Sequence, residues 1–428
     1  MKLYRYSLYN ALGLGLPLVF AIFSIPYLLG ELGDAQFGVL TLIWAMVSYF
    51  GLFDLGLGRA MTQLISPLFL KDSEVNRKKA GEIAFNGNLL LLLLGTGVLV
   101  ILLLFGDTIT ANIEGMSNYS QFQQTIVVVA LTMPAIMLTN GLRGILEANN
   151  DFAIVNLIRL PMGIWNFIGP CAVCYLFSSN LFLITVSLAL GRWVATFVHL
   201  YFVFGMLSKK KIQFTFSATH TKLLVSSGGW MAVSNVISSL MGYLDRFIIA
   251  FSLSALAVSY YSIPHEMITK LWIIPTAITA SIFPTFSNKI NIMQRKVVFK
   301  KAVLLNLIFI LPICLIVMVF AKDILSLWIN SGFSTNSYKV LIILSLGMLI
   351  GSFASVPYTA MQAMGYQKKT ALIHCCELVV FVGVIYFLTV TYGVIGAAIA
   401  WTIRAVIDTA VMYYFYNKYN KVESSYEC

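Results

Sequence analysis

The chain is 428 residues long, 59% of them hydrophobic and only 11% charged, with a net charge of +11. A soluble globular domain carries about 25% charged residues, and mean hydropathy here is +0.86, so the composition excludes a soluble fold. Apolar runs of roughly 20 residues recur from end to end, each long enough to cross a hydrocarbon core of about 30 Å, and none alternates with the period of two that a membrane barrel requires.

Taken in order, the apolar runs predict about twelve spans, at roughly 9–30, 37–58, 83–105, 122–142, 152–177 and 181–206, then 224–251, 257–286, 302–321, 338–360, 370–390 and 393–416. The first follows Lys2 and Arg5 but is too long and too broken by Pro17 and Pro26 for a cleaved leader, so it reads as a retained span. Loop 322–337 contains a Leu/Trp segment suited to the membrane interface. Of the 28 basic residues, 21 fall in one set of loops and the two termini, while the opposite loops hold only Lys322 and Lys339. That asymmetry predicts both termini on the cytoplasmic side and an even number of spans. It also assigns the positive charge to topology rather than to nucleic acid.

The basic stretch 207–222 divides the chain into a six-span half at 1–206 and another at 223–428. The halves echo each other weakly. Phe105-Gly-Asp-Thr-Ile109 aligns with Phe320-Ala-Lys-Asp-Ile324, and at the same offset Leu146-Glu-Ala148 falls on Met361-Gln-Ala363. Two six-span halves in the same orientation predict an all-α polytopic membrane protein, two bundles related by a pseudo-two-fold axis along the membrane normal, with a site near the midplane.

No nucleotide or metal motif is present, and no cofactor is expected. Gly56-Leu-Gly58 lacks the third glycine of a dinucleotide loop, no P-loop occurs, and His265-Glu266 meets Thr269 where a zinc protease has its second histidine. Cys171 and Cys174 lie in an apolar run and read as packing residues. No catalytic group is therefore assigned.

The informative residues are ionisable groups within spans, each costing roughly 2.5–3.5 kcal/mol to insert unless it finds a partner or a wet cavity. Five are cations, Arg159, Arg192, Arg246, Lys270 and Arg404; the deep acids are Asp245, Glu266, Glu377 and Asp408, with Asp54 nearer an end. Glu266 with Lys270, and Arg404 with Asp408, stand four apart and can pair within one helix. Arg159 and Arg192 have no acid at that spacing. Asn235 belongs to a stripe of small and polar residues on the seventh span, suited either to close packing or to the wall of a hydrated cleft. The candidate substrate-binding set is Arg192, Lys270, Arg246, Arg159, Arg404 and Asn235; the candidate ion-coupling carboxylates are Glu266, Glu377 and Asp408. Trp165, Trp193, Tyr260, Tyr261, Trp272 and Trp401 lie near these charges and are candidates for stacking on sugar rings.

Several stretches carry a resemblance: Ile25-Pro-Tyr-Leu-Leu-Gly-Glu-Leu-Gly33 with Phe37-Gly38, Tyr49-Phe-Gly-Leu-Phe-Asp-Leu-Gly-Leu-Gly-Arg59, Gly228-Gly-Trp-Met231, Tyr243-Leu-Asp-Arg-Phe247, and Tyr261-Ser-Ile-Pro-His-Glu266 through Phe283-Pro284. In these the chain resembles O-antigen flippases of the Wzx type, within the multidrug/oligosaccharidyl-lipid/polysaccharide exporter superfamily. The resemblance implies two six-helix bundles in a V and translocation of an undecaprenyl-pyrophosphate-linked sugar unit to the periplasmic leaflet of a bacterial inner membrane. It implies a lipid-linked oligosaccharide and membrane lipids as partners, with polysaccharide polymerase machinery as a further one. The near balance of buried cations and acids departs from the cationic lumen of such relatives. An ion-coupled multidrug antiporter shares the expected fold, and a membrane polymerase or ligase is the enzymatic alternative, disfavoured by the short outer loops.

Overall fold

The computed structural model describes residues 2–52, 54, 56–70, 73–111, 121–213, 215–287 and 292–426, although the side chains of residues 2–15, 18, 50–52, 59, 70, 107, 109–111, 121–122, 223, 225–236, 238–239, 280–281, 283–285, 287, 292–293 and 421–426 lie outside the description. The chain is all-α, and no strand occurs among the described residues. Seven of the described helices are long and apolar enough to cross a membrane. Many of their large apolar side chains face outward, Leu104 at 70%, Val379 at 75% and Phe387 at 66% exposed, which is a surface built for lipid rather than water.

The chain falls into two compact units, Met1–Leu240 and Met241–Cys428. The first contains α1 (Lys2–Leu52), α2 (Leu57–Leu70), α3 (Glu74–Ala111), α4 (Gln121–Ala148), α5 (Phe152–Leu176), α6 (Leu181–Lys209) and the first part of α7 (Ala218–Ser252). Gly33, at φ 73° and ψ 163°, breaks α1 within the short acidic stretch that separates the first two expected spans. The second expected span, drawn to residue 58, ends earlier. Asp54 accepts the backbone N–H groups of Gly56 and Gly58, at 2.9 and 3.3 Å, and this carboxylate turn starts α2 as a separate helix. Asp54 is thus a capping acid.

At the centre of the first unit, α4 packs against α2, α3 and α6. It is the most buried of the candidate spans, at 72%. Polar side chains tie it in: Thr139 and Thr196 share a 2.9 Å hydrogen bond between α4 and α6, and Thr62 donates to the Gly144 carbonyl at 3.0 Å. Lipid tails offer helices no hydrophobic reason to associate, so such bonds and close packing hold the bundle.

The second unit holds the end of α7, then α8 (Ala255–Thr269), a 3-10 turn at Lys270–Trp272, α9 (Ile273–Ser287), α10 (Ile292–Val319), α11 (Ala321–Trp328), α12 (Ser331–Ala363) and α13 (Gln367–Tyr426). The single span expected at 257–286 is therefore two helices around a tight turn. Pro275 has no N–H for the Leu271 carbonyl and its ring crowds that carbonyl, and the break falls just before it. The short α11 matches the segment expected to lie along the interface; Leu327 on it is 92% exposed. Here α12 is the central helix, packed on α8, α9, α10, α11 and α13.

The aligned helix ends, Ala148 of α4 and Ala363 of α12, close with the same cap. Asp151 N–H bonds the Leu146 carbonyl and Asn150 N–H that of Glu147; Tyr366 N–H bonds Met361 and Gly365 N–H bonds Gln362. In each the second residue after the helix has positive φ, 62° at Asn150 and 88° at Gly365.

Helix α13 is a hairpin. Glu377 and Arg404 would stand about 40 Å apart on a straight helix, yet their charged atoms are 4.0 Å apart, and Tyr366 stacks on Tyr419 at 4.2 Å. The reversal is at Gly393, φ 63° and ψ −145°. A Cβ on Gly396 would collide with the carbonyl of Leu388 across this turn, whereas one on Gly383 meets nothing within 4 Å. Gly396→Ala is therefore expected to cut the protein recovered in the membrane fraction several-fold, and Gly383→Ala to leave it unchanged, read by immunoblot; equal recovery of the two variants would contradict the packing at the turn.

Candidate functional site

Two charge clusters lie within the second unit. The first starts at Asp245, fully buried near the end of α7. Its Oδ2 accepts the Tyr261 hydroxyl at 2.7 Å and lies 3.6 Å from His265 Nε2, and its Oδ1 accepts the Arg246 backbone N–H at 2.8 Å. Tyr261 and His265 stand one turn apart on α8, stack on each other, and His265 packs edge-on to Trp401 of α13. The Arg246 guanidinium, 3% exposed, lies 2.5 Å from Glu266 Oε1, and Lys270 Nζ lies 2.6 Å from the other oxygen of that carboxylate. The result is a chain of alternating charge running from a sealed interior at Asp245 to a half-exposed ammonium at Lys270. Both cations are engaged by one acid. Tyr261 and Trp401 are buried in this network, so neither presents a face to a sugar ring.

The second cluster lies inside the α13 hairpin. Arg404 Nε is 4.0 Å from Glu377 Oε1, its guanidinium lies 5.2 Å from the Phe381 ring, and His374 Nε2 is 3.8 Å from Asp408 Oδ1. The pairing of Arg404 with Asp408 expected along one helix is replaced by this pairing across the hairpin, because the reversal at Gly393 brings Glu377 closer. Donor atoms of His374, Glu377 and Asp408 all lie within 4.8 Å of one another, an arrangement able to hold a cation. The cluster borders a cleft of about 560 Å³ between the two legs, walled by Val380, Val384 and Ile407 and flanked by Lys369 and Lys418.

The first unit holds the other cations. Arg192, on α6, is half-buried and donates to Asn166 Oδ1 of α5 at 3.5 Å, a long contact for a hydrogen bond. Among the described residues no carboxylate lies within ion-pair distance of it. Arg159 is exposed on α5, and its neighbour Arg143 pairs with Glu147 at 3.5 Å. Trp165 is committed to the Ser187 carbonyl at 3.0 Å. The side chain of Asn235 lies outside the described residues. The structure thus gathers Arg246, Glu266 and Lys270 into one group and Glu377, Arg404 and Asp408 into another, with Arg192 and Arg159 in a separate unit. Sequence reading overlooked His265 and His374 as members of these clusters. The spacing of His374 three residues before Glu377, one face of one helix, was the available signal.

Comparison with known proteins agrees with this architecture. The family described as polysaccharide biosynthesis protein matches residues 32–335. A Shigella flexneri protein named for O-antigen transport is 33% identical over 420 residues, covering 98% of each chain. Among solved structures, an inward-facing multidrug resistance transporter of the MATE family superimposes with a TM-score of 0.80 at 15% identity, covering 98% of this chain and 99% of that one. The lipid II flippase MurJ does so with 0.72 at 16% identity, covering 96% and 87%. At those identities the structural likeness establishes the fold alone, an all-α polytopic membrane protein. The sequence goes further: matched over residues 32–335, the chain belongs to the polysaccharide biosynthesis protein family.

Proposed function

We propose that this protein is a flippase that carries an undecaprenyl-pyrophosphate-linked O-antigen or polysaccharide repeat unit from the cytoplasmic to the periplasmic leaflet of the bacterial inner membrane by alternating access. The observation that carries the reading is the full-length likeness to the Shigella flexneri O-antigen transporter. Deletion of the gene should remove surface polysaccharide and trap lipid-linked repeat units on the cytoplasmic side, and the intact gene should restore both; unchanged surface polysaccharide in the deletion strain would overturn it. A multidrug resistance transporter shares the fold. Against that reading, Arg159 and Arg192 are cations with no carboxylate at ion-pair distance among the described residues, which suits an anionic cargo better than a drug cation.

The chain is read with twelve spans in two bundles and both termini in the cytoplasm, and polymerase machinery is its expected neighbour in the membrane. Reporter fusions after Ser334 should read periplasmic and those after Lys210 and Lys296 cytoplasmic; a cytoplasmic signal at Ser334 would break the assignment.

Of the three coupling candidates, Glu266 is held by two cations, whereas Glu377 has one, Arg404 at 4.0 Å, Asp408 lies beside His374, and both acids border an open cleft. Coupling to an ion gradient is therefore assigned to Glu377 and Asp408. Glu377→Gln with Asp408→Asn should slow gradient-driven flipping in proteoliposomes at least tenfold. Flipping that ignores both proton and sodium gradients would remove coupling altogether.

A further inference from the structure

After α6 the chain runs along one face of α3 before α7 begins. Ile212 and Leu224, at either end of this segment, are buried in one core with Ala80, Ile83 and Ala84 of α3. A Cβ on Gly81 would collide with the Gln213 carbonyl, so the segment lies directly on the helix there. The Asn86 side chain, 1% exposed, clasps Ser217 by both backbone groups, donating to its carbonyl at 2.6 Å and accepting its N–H at 3.3 Å. His220 Nδ1 lies 2.8 Å from Glu82 Oε2 and 3.1 Å from the Ser217 hydroxyl oxygen. Glu82 and Asn86 stand one turn apart on α3. Together they hold the residue before α7 and the first turn of that helix.

Ser217 is where α7 starts: the N–H and the hydroxyl of Thr221 both bond its carbonyl. The far end of the same helix belongs to the second unit, whose boundary falls at Leu240–Met241, within α7. There Asp245 accepts the Tyr261 hydroxyl of α8. A segment that hinges between two units needs few attachments to either. This one has two core side chains, a two-fold amide clasp and an acid–imidazole pair on one helix face, and undocking would break them together and strip buried polar groups of their partners. Helices bend most readily at glycine and serine, and α7 carries Ser226-Ser227-Gly228-Gly229 just beyond Leu224.

We propose that residues 212–224 form a strap that stays docked on α3 in every conformation the protein adopts, so that bending of the connection between the units is confined to α7 beyond Leu224. Glu82, Asn86 and His220 are then positioning residues: they fix the origin of α7 on the first unit, and any change of angle along that helix is passed on to the second.

Two measurements on the full-length protein test this, and only the second rests on the proposed flippase activity. The first is hydrogen–deuterium exchange in nanodiscs. The Ser217 amide lies outside the ladder of α7 and is bonded to Asn86, so it reports the strap. It should exchange about as slowly as the amides inside α3. Asn86→Ala should speed it by about tenfold or more, and His220→Ala, which removes no bond of that amide, by roughly threefold or more, with exchange in α12 unchanged in both. Rapid exchange at Ser217 in the wild type, or no response to His220→Ala, would overturn the proposal. In the second, Glu82→Cys/His220→Cys is made with the six native cysteines replaced by alanine and is bridged by dibromobimane. In proteoliposomes the bridged protein should flip lipid-linked repeat units, extracted from the deletion strain, within about twofold of the unbridged protein. Loss of flipping on bridging would overturn the proposal as well. A wild type that flips nothing refutes the functional reading instead, and the exchange at Ser217 then decides the strap alone.

Discussion

Arg246→Ala should leave little folded protein in the membrane. Its guanidinium is 3% exposed, pairs with Glu266 and belongs to the residue next to the sealed Asp245. Removing one partner of a buried pair costs about 3–5 kcal/mol; here the fully buried Asp245 is the charge left without its neighbouring cation, while Glu266, 34% exposed, keeps Lys270. That cost is a large part of the roughly 5–15 kcal/mol of a typical domain. Lys270→Met should be tolerated far better, since that ammonium is 47% exposed and Glu266 keeps Arg246. The double change Arg246→Met/Glu266→Gln should recover much of the lost abundance, as apolar replacement of a buried pair often does. Size-exclusion chromatography of the detergent-extracted protein reads all three. A monodisperse Arg246→Ala protein at normal yield would show that the network is dispensable to the fold.

Arg192→Ala should behave in the opposite way, losing surface polysaccharide while keeping normal abundance. The only side-chain hydrogen bond of its guanidinium among the described residues is the long one to Asn166, so deletion strands no acid. A free planar fork can donate two parallel hydrogen bonds to a phosphate, which an ammonium cannot match in geometry. Charged hydrogen bonds of this kind contribute about 1.5–3 kcal/mol, or about 10- to 150-fold in cargo affinity. Arg192→Lys should therefore restore part of the polysaccharide and Arg192→Gln almost none. The discriminating readout is the ratio of surface polysaccharide to immunoblotted protein. A drop in both together would make Arg192 a structural residue, and no drop in either would remove it from the pathway.

Much of this was legible in composition and spacing. Apolar runs locate α3, α4, α5, α6, α10 and α12 closely, because lipid exposure forces helices to be apolar over a bilayer's width. The pairing of Glu266 with Lys270 followed from their spacing on one face. What spacing could not show was which acid a cation prefers when the chain turns back on itself. Arg404 has Asp408 one turn away, yet the reversal at Gly393 brings Glu377 into reach. The second expected span was drawn too long for a related reason: Asp54 looked like a charge near the end of a helix and is instead the cap that starts the next. His265 was weighed only as half of a zinc motif and His374 not at all; the i, i+3 spacing of His374 and Glu377 was the one signal of their clusters in the sequence, and contact distances supply the rest.

The hairpin of α13 has a consequence for how the protein enters its membrane. Glu377, Arg404 and Asp408 would each oppose insertion if their helices were delivered to lipid one at a time, at roughly 2.5–3.5 kcal/mol for an ionised group at mid-depth. The two legs are joined by a turn so tight that they leave the ribosome almost together, and their charges face one another across it at 4.0 Å. Delivered as a pair, the legs let Glu377 and Arg404 neutralise each other before either meets acyl chains, with His374 beside Asp408. The hairpin thus carries the counter-charge of Arg404 within itself, and no earlier helix has to wait beside the translocon to supply it.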